Sequence, residues 1–126
     1  IIFKGVDNTA AITALTLDMS GAGAATFNND VTAFSDKRLK TDIKNIDNAL
    51  SKVTKMQGVY YKRNDIDDAR EQVGVLAQDI EEVLPQVVLT ADDDFKTKSV
   101  DYGKICAVLI ESIKELKAEI DQLKGK

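Results

Sequence analysis

The feature that most constrains this chain is a stripe of apolar residues that runs through its last quarter. Successive members lie 3, 4, 3, 4 and 3 residues apart, the spacing of positions a and d in a heptad repeat. The pattern predicts a helix over 104–124 whose seam is covered by other copies in a parallel coiled coil. A helix that packs on its own domain is the alternative, and we favour the coiled coil. The seam consists of Cys106, Leu109, Ile113, Leu116, Ile120 and Leu123.

The number of chains in such a coiled coil is left open by the seam itself. Isoleucine at a with leucine at d favours two strands. Ile110 at position e widens the apolar face, and Cys106 at a is ambiguous, so three strands also fit.

Composition excludes several classes of function. The chain has 126 residues, a net charge of −4 and no histidine, which excludes a Ser-His-Asp triad, a Cys-His pair and a histidine metal site. The acidic balance argues against nucleic-acid binding, and no apolar run is long enough to cross a membrane. The single cysteine, Cys106, lies among apolar neighbours and is predicted to be a small buried residue.

Residues 1–34 differ in composition from the remainder of the chain. They are poor in charge and rich in Thr, Ala, Gly and Asn, and apolar residues alternate in short bursts between Gly and Asn turns. Short strands fit this pattern better than a helix. We interpret the segment as the end of a β-structured fibre shaft whose interior several chains share. Since the sequence does not begin with Met, we expect a piece of a longer protein.

From residue 35 the chain becomes charged, and its patterns predict a small mixed domain, so the fold class is α+β. Apolar residues at steps of three and four predict a helix over about 46–54, and alternation predicts strands over 58–63 and 71–77. A short helix follows and ends at Pro85. A strand is predicted over 86–90. The residues 91–102 are predicted to form a hairpin loop and the return strand that leads to the long helix. The acids of this loop, Asp92 to Asp94, lack the spacing of a calcium loop, so a solvated turn is predicted.

The stretch FSDKRLKTDI, 34–43, lies where the composition changes. Ser35 precedes Lys40 by five residues, and a lysine that is neutral can take the proton of a serine hydroxyl. Neutrality requires an apolar surrounding, which Leu39 and Ile43 are predicted to supply. Asp36 is explained either as orienting the turn together with Arg38 or as simple surface solvation, and the sequence favours solvation.

Spacing alone does not identify a reactive serine. Two further serines have a lysine five residues later, Ser99 with Lys104 and Ser112 with Lys117. Only Ser35 stands at the composition boundary.

Three separated motifs in order give a more specific signal: SDKRLKTDI, then GVLAQDIEEVLPQVV, then SVDYGKICAVLIESIKEL. Together they resemble the C-terminal intramolecular chaperone domain of phage tailspikes, tail fibres and neck appendages, the self-cleaving family typified by phage endosialidase and classed as peptidase family S74. The resemblance covers 35–126. It implies that 1–34 are the last part of the fibre that the chaperone serves.

The resemblance also implies a function and a site. Such domains form trimers, hold three fibre chains in register and then release themselves by autoproteolysis. Carried onto this sequence, Ser35 is the nucleophile, Lys40 the general base and Phe34–Ser35 the bond that is cut. The implied partners are two further copies and the chain's own fibre segment, without cofactor, metal, nucleic acid or membrane. The protein would be made in the bacterial cytoplasm, and the mature fibre would stay in the virion tail after the chaperone is released.

Three alternatives stay open at this point. The module could be a trimerisation cap that is never cut, which intact mass would reveal. Membrane-anchored transcription factors of animals carry a similar self-cleaving module, but the Gly- and Asn-rich stretch upstream does not resemble a linker to a DNA-binding domain. A secreted protease with other substrates fits least, because no substrate-selecting pocket is indicated.

Overall fold

The computed structural model describes residues 1–20 and 22–125, and within them the protein is a mixed α+β structure, as predicted. By packing, the chain divides into two units, one formed by Ile1–Asp42 with Arg63–Ala69 and the other by Ile43–Lys62 with Arg70–Lys126. The predicted functional boundary between residues 34 and 35 is a separate matter and stays a prediction.

The first unit contains a three-stranded antiparallel sheet in the order β1-β2-β3, with β1 at Ile2–Asp7, β2 at Ala10–Asp18 and β3 at Ala24–Phe27. Short strands were predicted here. The β1–β2 turn consists of Asn8 and Thr9, both with positive φ, as the tightest hairpin turns require. After β3 the chain runs through bends and extended residues to 36, so Val31 and Phe34 lie outside the strands.

A bulge gives this sheet one apolar face. Phe3 pairs with Leu15 but the next residue, Lys4, pairs with Thr13, so Ala14 is an extra residue on β2. Ile12 and Leu15 are three residues apart and would point to opposite faces of a regular strand. The extra residue returns Ile12 to the face of Leu15.

The pairing partners extend that face across all three strands, since Phe27 pairs with Leu15 and the backbone of Ile1 is hydrogen-bonded to Leu17. Phe3 and Phe27 stay about half exposed. The sheet therefore presents an apolar face that is only partly covered. Its members are Ile1, Phe3, Ile12, Leu15, Leu17 and Phe27.

The second unit contains two antiparallel strand pairs and three α-helices. Its elements are α1 (Ala49–Val53), β4 (Gly58–Tyr61), β5 (Gln72–Val75), α2 (Ala77–Val83), a 3-10 turn (Pro85–Val87), β6 (Val88–Thr90), β7 (Lys98–Val100) and α3 (Tyr102–Lys124). β4 pairs with β5 and β6 with β7.

The predicted helices and strands of this unit are present, most of them with shorter bounds, whereas α3 begins two residues before the predicted residue 104. The helix expected over 46–54 begins only at Ala49, because Asn48 before it has φ +50, which an α-helix does not allow. Ile46 still packs against the core, but from extended chain. Pro85 ends α2 as predicted, and β6 and β7 flank the predicted hairpin loop.

The core is small and lies in this unit. Within the described part of the chain, the buried apolar side chains are those of Ala49, Ile80, Leu84, Val87 and Val108. They come from α1, α2, the 3-10 turn and α3. Helix α3 thus packs on its own chain through Val108 and, one turn later, through Ser112.

The side of α3 that packs inward is not the heptad seam. Val108 and Ser112 are buried, whereas the seam residues are exposed, from 40% for Leu109 to 70% for Leu123. Cys106 is also exposed, so its predicted burial is wrong for the single chain. The helix carries two stripes, and packing on its own domain uses the other one. The chain has no partner of its own for the seam among the residues described.

An acidic side chain from α3 caps α1. The backbone N–H groups of Ala49 and Leu50 donate to the two carboxylate oxygens of Glu115 at 2.9 and 2.8 Å. Asn48, at the N-cap position, makes no such bond. Glu115 therefore satisfies donors at the start of α1 that would otherwise lack a partner.

None of the helices described is long and apolar enough to cross a membrane.

Candidate functional site

The predicted cleavage bond lies in open chain. Phe34 is 98% exposed, and the residues from Asp30 to Asp36 belong to no helix or strand. A short 3-10 turn, Lys37–Leu39, follows at once. The peptide bond between Phe34 and Ser35 is therefore not protected by secondary structure.

The 3-10 turn brings Lys40 back to Ser35. Leu39 N–H donates to the Asp36 carbonyl and Lys40 N–H to the Lys37 carbonyl, each at 3.1 Å. The backbone of Lys40 is extended, and its side chain returns along the turn. Its Nζ donates to Ser35 Oγ at 2.7 Å and to the Ser35 carbonyl oxygen at 3.1 Å. The two residues proposed from the sequence are thus hydrogen-bonded, and their catalytic role stays a prediction.

Asp36 and Arg38 brace this turn. Asp36 Oδ1 accepts the backbone N–H of Arg38 at 2.8 Å, and the guanidinium donates to both carboxylate oxygens through Nε and Nη2. The Arg38 side chain and backbone donors, and then the positive charge of Lys40, hold the pKa of Asp36 below its usual value. The hydrogen bonds between Asp36 and Arg38 show that Asp36 is part of the turn and is not merely solvated. An aspartate directly before a turn is a capping signal that the sequence already contained.

The predicted apolar surrounding of Lys40 is absent from the single chain. Leu39 is 71% exposed, Ile43 is 62% exposed, and Lys40 itself is exposed. The expectation that these two neighbours bury it is therefore wrong here, because their own side chains lie mostly in solvent. The chain supplies the contact of the dyad but not the desolvation that a neutral lysine needs.

The other two Ser/Lys pairs are separated by their surroundings. Ser112 is buried and donates to the Leu109 carbonyl at 2.8 Å, while Lys117 pairs with Asp121 on the helix surface. Lys104 pairs with Asp101 at 3.0 Å. The three Ser/Lys pairs have equal spacing in sequence but different surroundings. The lysine is hydrogen-bonded to the serine in the pair Ser35/Lys40.

The acidic loop after β6 is used to form a turn. Asp93 accepts the backbone N–H of Thr97 at 2.8 Å, and Asp92 accepts from Lys96 at 2.6 Å. In the stretches 1–20 and 22–125, no three His, Cys, Asp or Glu side chains converge as metal ligands would.

Comparison with known proteins agrees with the motifs. The family model described as chaperone of endosialidase, Peptidase_S74, matches residues 35–89. Long tail fiber protein Gp37 of Enterobacteria phage K3 is 35% identical over 97 residues, which cover 73% of this chain and 8% of that protein. Gp37 of Enterobacteria phage M1 is 34% identical over 102 residues, 76% of this chain and 41% of the relative. Gp37 of Salmonella phage S16 is 32% identical over 109 residues, which cover 81% of this chain and 15% of that protein. The chain thus spans less than half of each of these relatives.

Proposed function

Because this chain belongs to the chaperone-of-endosialidase family through residues 35–89, we propose that it assembles three copies of a phage tail fibre and then cuts itself free at Phe34–Ser35. The observation that carries the cutting step is the 2.7 Å contact between Lys40 Nζ and Ser35 Oγ, beside an exposed peptide bond. Residues 1–34 are the client, and the mature fibre stays in the virion tail.

The exposed seam of α3 supports assembly. The neighbouring stripe of the helix, which contains Val108 and Ser112, already packs on the second unit, so the helix is anchored while the seam stays exposed. A parallel three-stranded coiled coil would bury Cys106, Leu109, Ile113, Leu116, Ile120 and Leu123.

The apolar face of the β1-β2-β3 sheet supports the choice of client. Phe3, Leu15 and Phe27 form a row across the three strands, and their chain leaves the row partly exposed. Three such faces brought together by α3 would form one shared interior. Linking each sheet to a preassembled helix turns a search among three chains into a local one at high effective concentration.

The cut itself is written as an N-to-O acyl shift followed by hydrolysis. Neutral Lys40 takes the proton of Ser35 Oγ as that oxygen attacks the Phe34 carbonyl carbon. The C–N bond then breaks, and Lys40 returns the proton to the departing Ser35 amine. Water hydrolyses the resulting ester, which leaves a Phe34 carboxylate and a free hydroxyl on Ser35. Attack by Ser35 of a neighbouring copy gives the same products.

The exposure of Lys40 places the cut after assembly in this proposal. In the single chain Lys40 is exposed, and it lacks the apolar surrounding that favours the neutral form of an amine. Packing of neighbouring copies around the turn would supply that surrounding. Cutting that depends on assembly cannot remove the chaperone before the three fibre segments are in register.

A gel and intact-mass comparison tests the cut. The full chain should yield fragments 1–34 and 35–126, whereas Ser35→Ala and Lys40→Ala should stay whole. Lys40→Arg keeps hydrogen-bond donors beside Ser35 but cannot act as a base, so it should also stay whole. Ser99→Ala with Lys104→Ala is the matched control, with equal spacing but no contact, and should be cut normally. An uncut wild-type chain in a stable trimer would instead support the second candidate, a permanent trimerisation cap.

A further inference from the structure

The pair formed by Asp36 and Arg38 saturates a carboxylate next to the dyad. Asp36 Oδ1 accepts from the backbone N–H and Nε of Arg38, and Oδ2 accepts from Nε at 3.1 Å and from Nη2 at 2.6 Å. Both oxygens are therefore occupied by one residue. Lys40, in turn, directs its bonds to Ser35.

We propose that Arg38 is a positioning residue that occupies and neutralises the Asp36 carboxylate, so that Lys40 serves Ser35 instead of forming an ion pair with Asp36. This inference rests on the proposed self-cleavage. Asp36 must stay in place, because it accepts the Arg38 N–H at the start of the turn that carries Lys40. An aspartate at this position also brings a negative charge close to Lys40.

The electrostatic reason follows from what a lysine base requires. An opposite charge within a few ångströms favours the ammonium form, which cannot accept the serine proton. The positive charge of Lys40 already acts on Asp36, so the two groups are within electrostatic reach. A guanidinium bound through two nitrogens cancels the carboxylate charge, and its planar fork fits the two oxygens better than a lysine would.

The other charged side chains of this stretch do not replace Arg38. Lys37 begins the 3-10 turn, and the hydrogen bonds that Asp36 accepts come from Arg38 and not from Lys37. Asp42 follows Lys40 by two residues, and its carboxylate accepts from the Thr41 hydroxyl at 3.4 Å. The direct partner of Asp36 is Arg38.

The test measures the rate of cutting against pH after assembly. Ser35 is introduced with a photocaged hydroxyl, the assembled full chain is isolated, and a light flash starts the reaction at pH values from 6 to 10. Arg38→Ala should raise the pH midpoint of the rate by roughly one unit, which slows cutting about tenfold at neutral pH. Asp36→Asn keeps an oxygen for the Arg38 N–H and should cut at least as well as wild type.

The double variant Asp36→Asn with Arg38→Ala decides the matter. It removes the carboxylate that Arg38 neutralises, so the midpoint should return to the wild-type value. Arg38 is 88% exposed in its side chain, so these changes leave folding intact, which equal oligomer mass verifies. Arg63 makes a similar pair with Asp65 two residues later, and Arg63→Ala is the control that should not move the midpoint.

Two results would overturn the inference. One is an Arg38→Ala profile with the wild-type midpoint. The other is a loss of rate that the double variant does not restore, which would make Arg38 a purely mechanical brace. An uncaged wild-type chain that never cuts would instead refute the proposed function, so the two failures are distinguishable.

Discussion

Replacing one seam residue should break the assembly while leaving the folded unit intact. Ile113 lies at position a, is 65% exposed in the single chain and makes no contribution to the buried core. Ile113→Ala removes the equivalent of about three methylene groups, each worth about 0.8 kcal/mol when fully buried. Scaled by the fraction that assembly would bury, the loss is about 1.6 kcal/mol per chain, or about 5 kcal/mol for three chains.

Light scattering coupled to size exclusion measures this on the uncut Ser35→Ala background. The parent should give about 41 kDa, three copies of a 13.8 kDa chain. Because a trimer dissociation constant scales with the square of concentration, the Ile113→Ala variant should dissociate at concentrations roughly sixtyfold higher than the parent does. Val73→Ala is the matched control, because Val73 is 72% exposed on β5 but lies outside the seam. A monomeric parent, or equal effects of both substitutions, would refute the assignment of the seam.

Three further substitutions test the account of stability by thermal or urea unfolding. Glu115→Ala leaves two N–H groups of α1 without their acceptor and should cost about 2 kcal/mol. Asp121→Ala, which removes an exposed ion pair with Lys117 on the same helix, should cost under about 0.5 kcal/mol. Equal costs would contradict the capping role of Glu115. Gly74→Ala would place a methyl group against the Tyr102 hydroxyl and the Tyr61 ring and should destabilise by about 1–3 kcal/mol, whereas a methyl at Gly58 meets no atom within 4 Å. A neutral Gly74→Ala would contradict this close packing. Thr9→Gly should stabilise the β1–β2 hairpin by about 1 kcal/mol because Thr9 has φ +77, and a loss of stability would show that this turn is not under strain.

Local patterns predicted the kinds of element well. The heptad spacing predicted helix α3, and Pro85 ends α2 because proline cannot continue the hydrogen-bond ladder. These signals depend on neighbours in sequence. They hold whatever the remainder of the chain does.

What the sequence left open depends on residues far apart. The start of α1 is set by Glu115, 66 residues beyond Ala49, and no local pattern reports such a bond. The bulge at Ala14 appears only when β2 is aligned with β1. The residues flanking Cys106 predicted burial, but they could not show that its own domain packs on the neighbouring stripe of α3.

The candidate site divides in the same way. The spacing of Ser35 and Lys40 allowed a contact, and the 3-10 turn between them produces it. The apolar neighbours in sequence predicted burial of the lysine, which requires atoms from elsewhere to cover it. In the structure Leu39 is itself exposed.

The central claim is that three chains assemble first and that the Ser35–Lys40 pair then cuts them. Native mass spectrometry of newly made full chain, sampled over time, measures assembly and cutting in the same spectrum. The account predicts intact monomers, then intact trimers, then trimers of 35–126, with no cut monomer at any time and with Lys40→Ala held at the intact trimer. Cut monomers that precede any trimer, or equal cutting in Lys40→Ala, would contradict it.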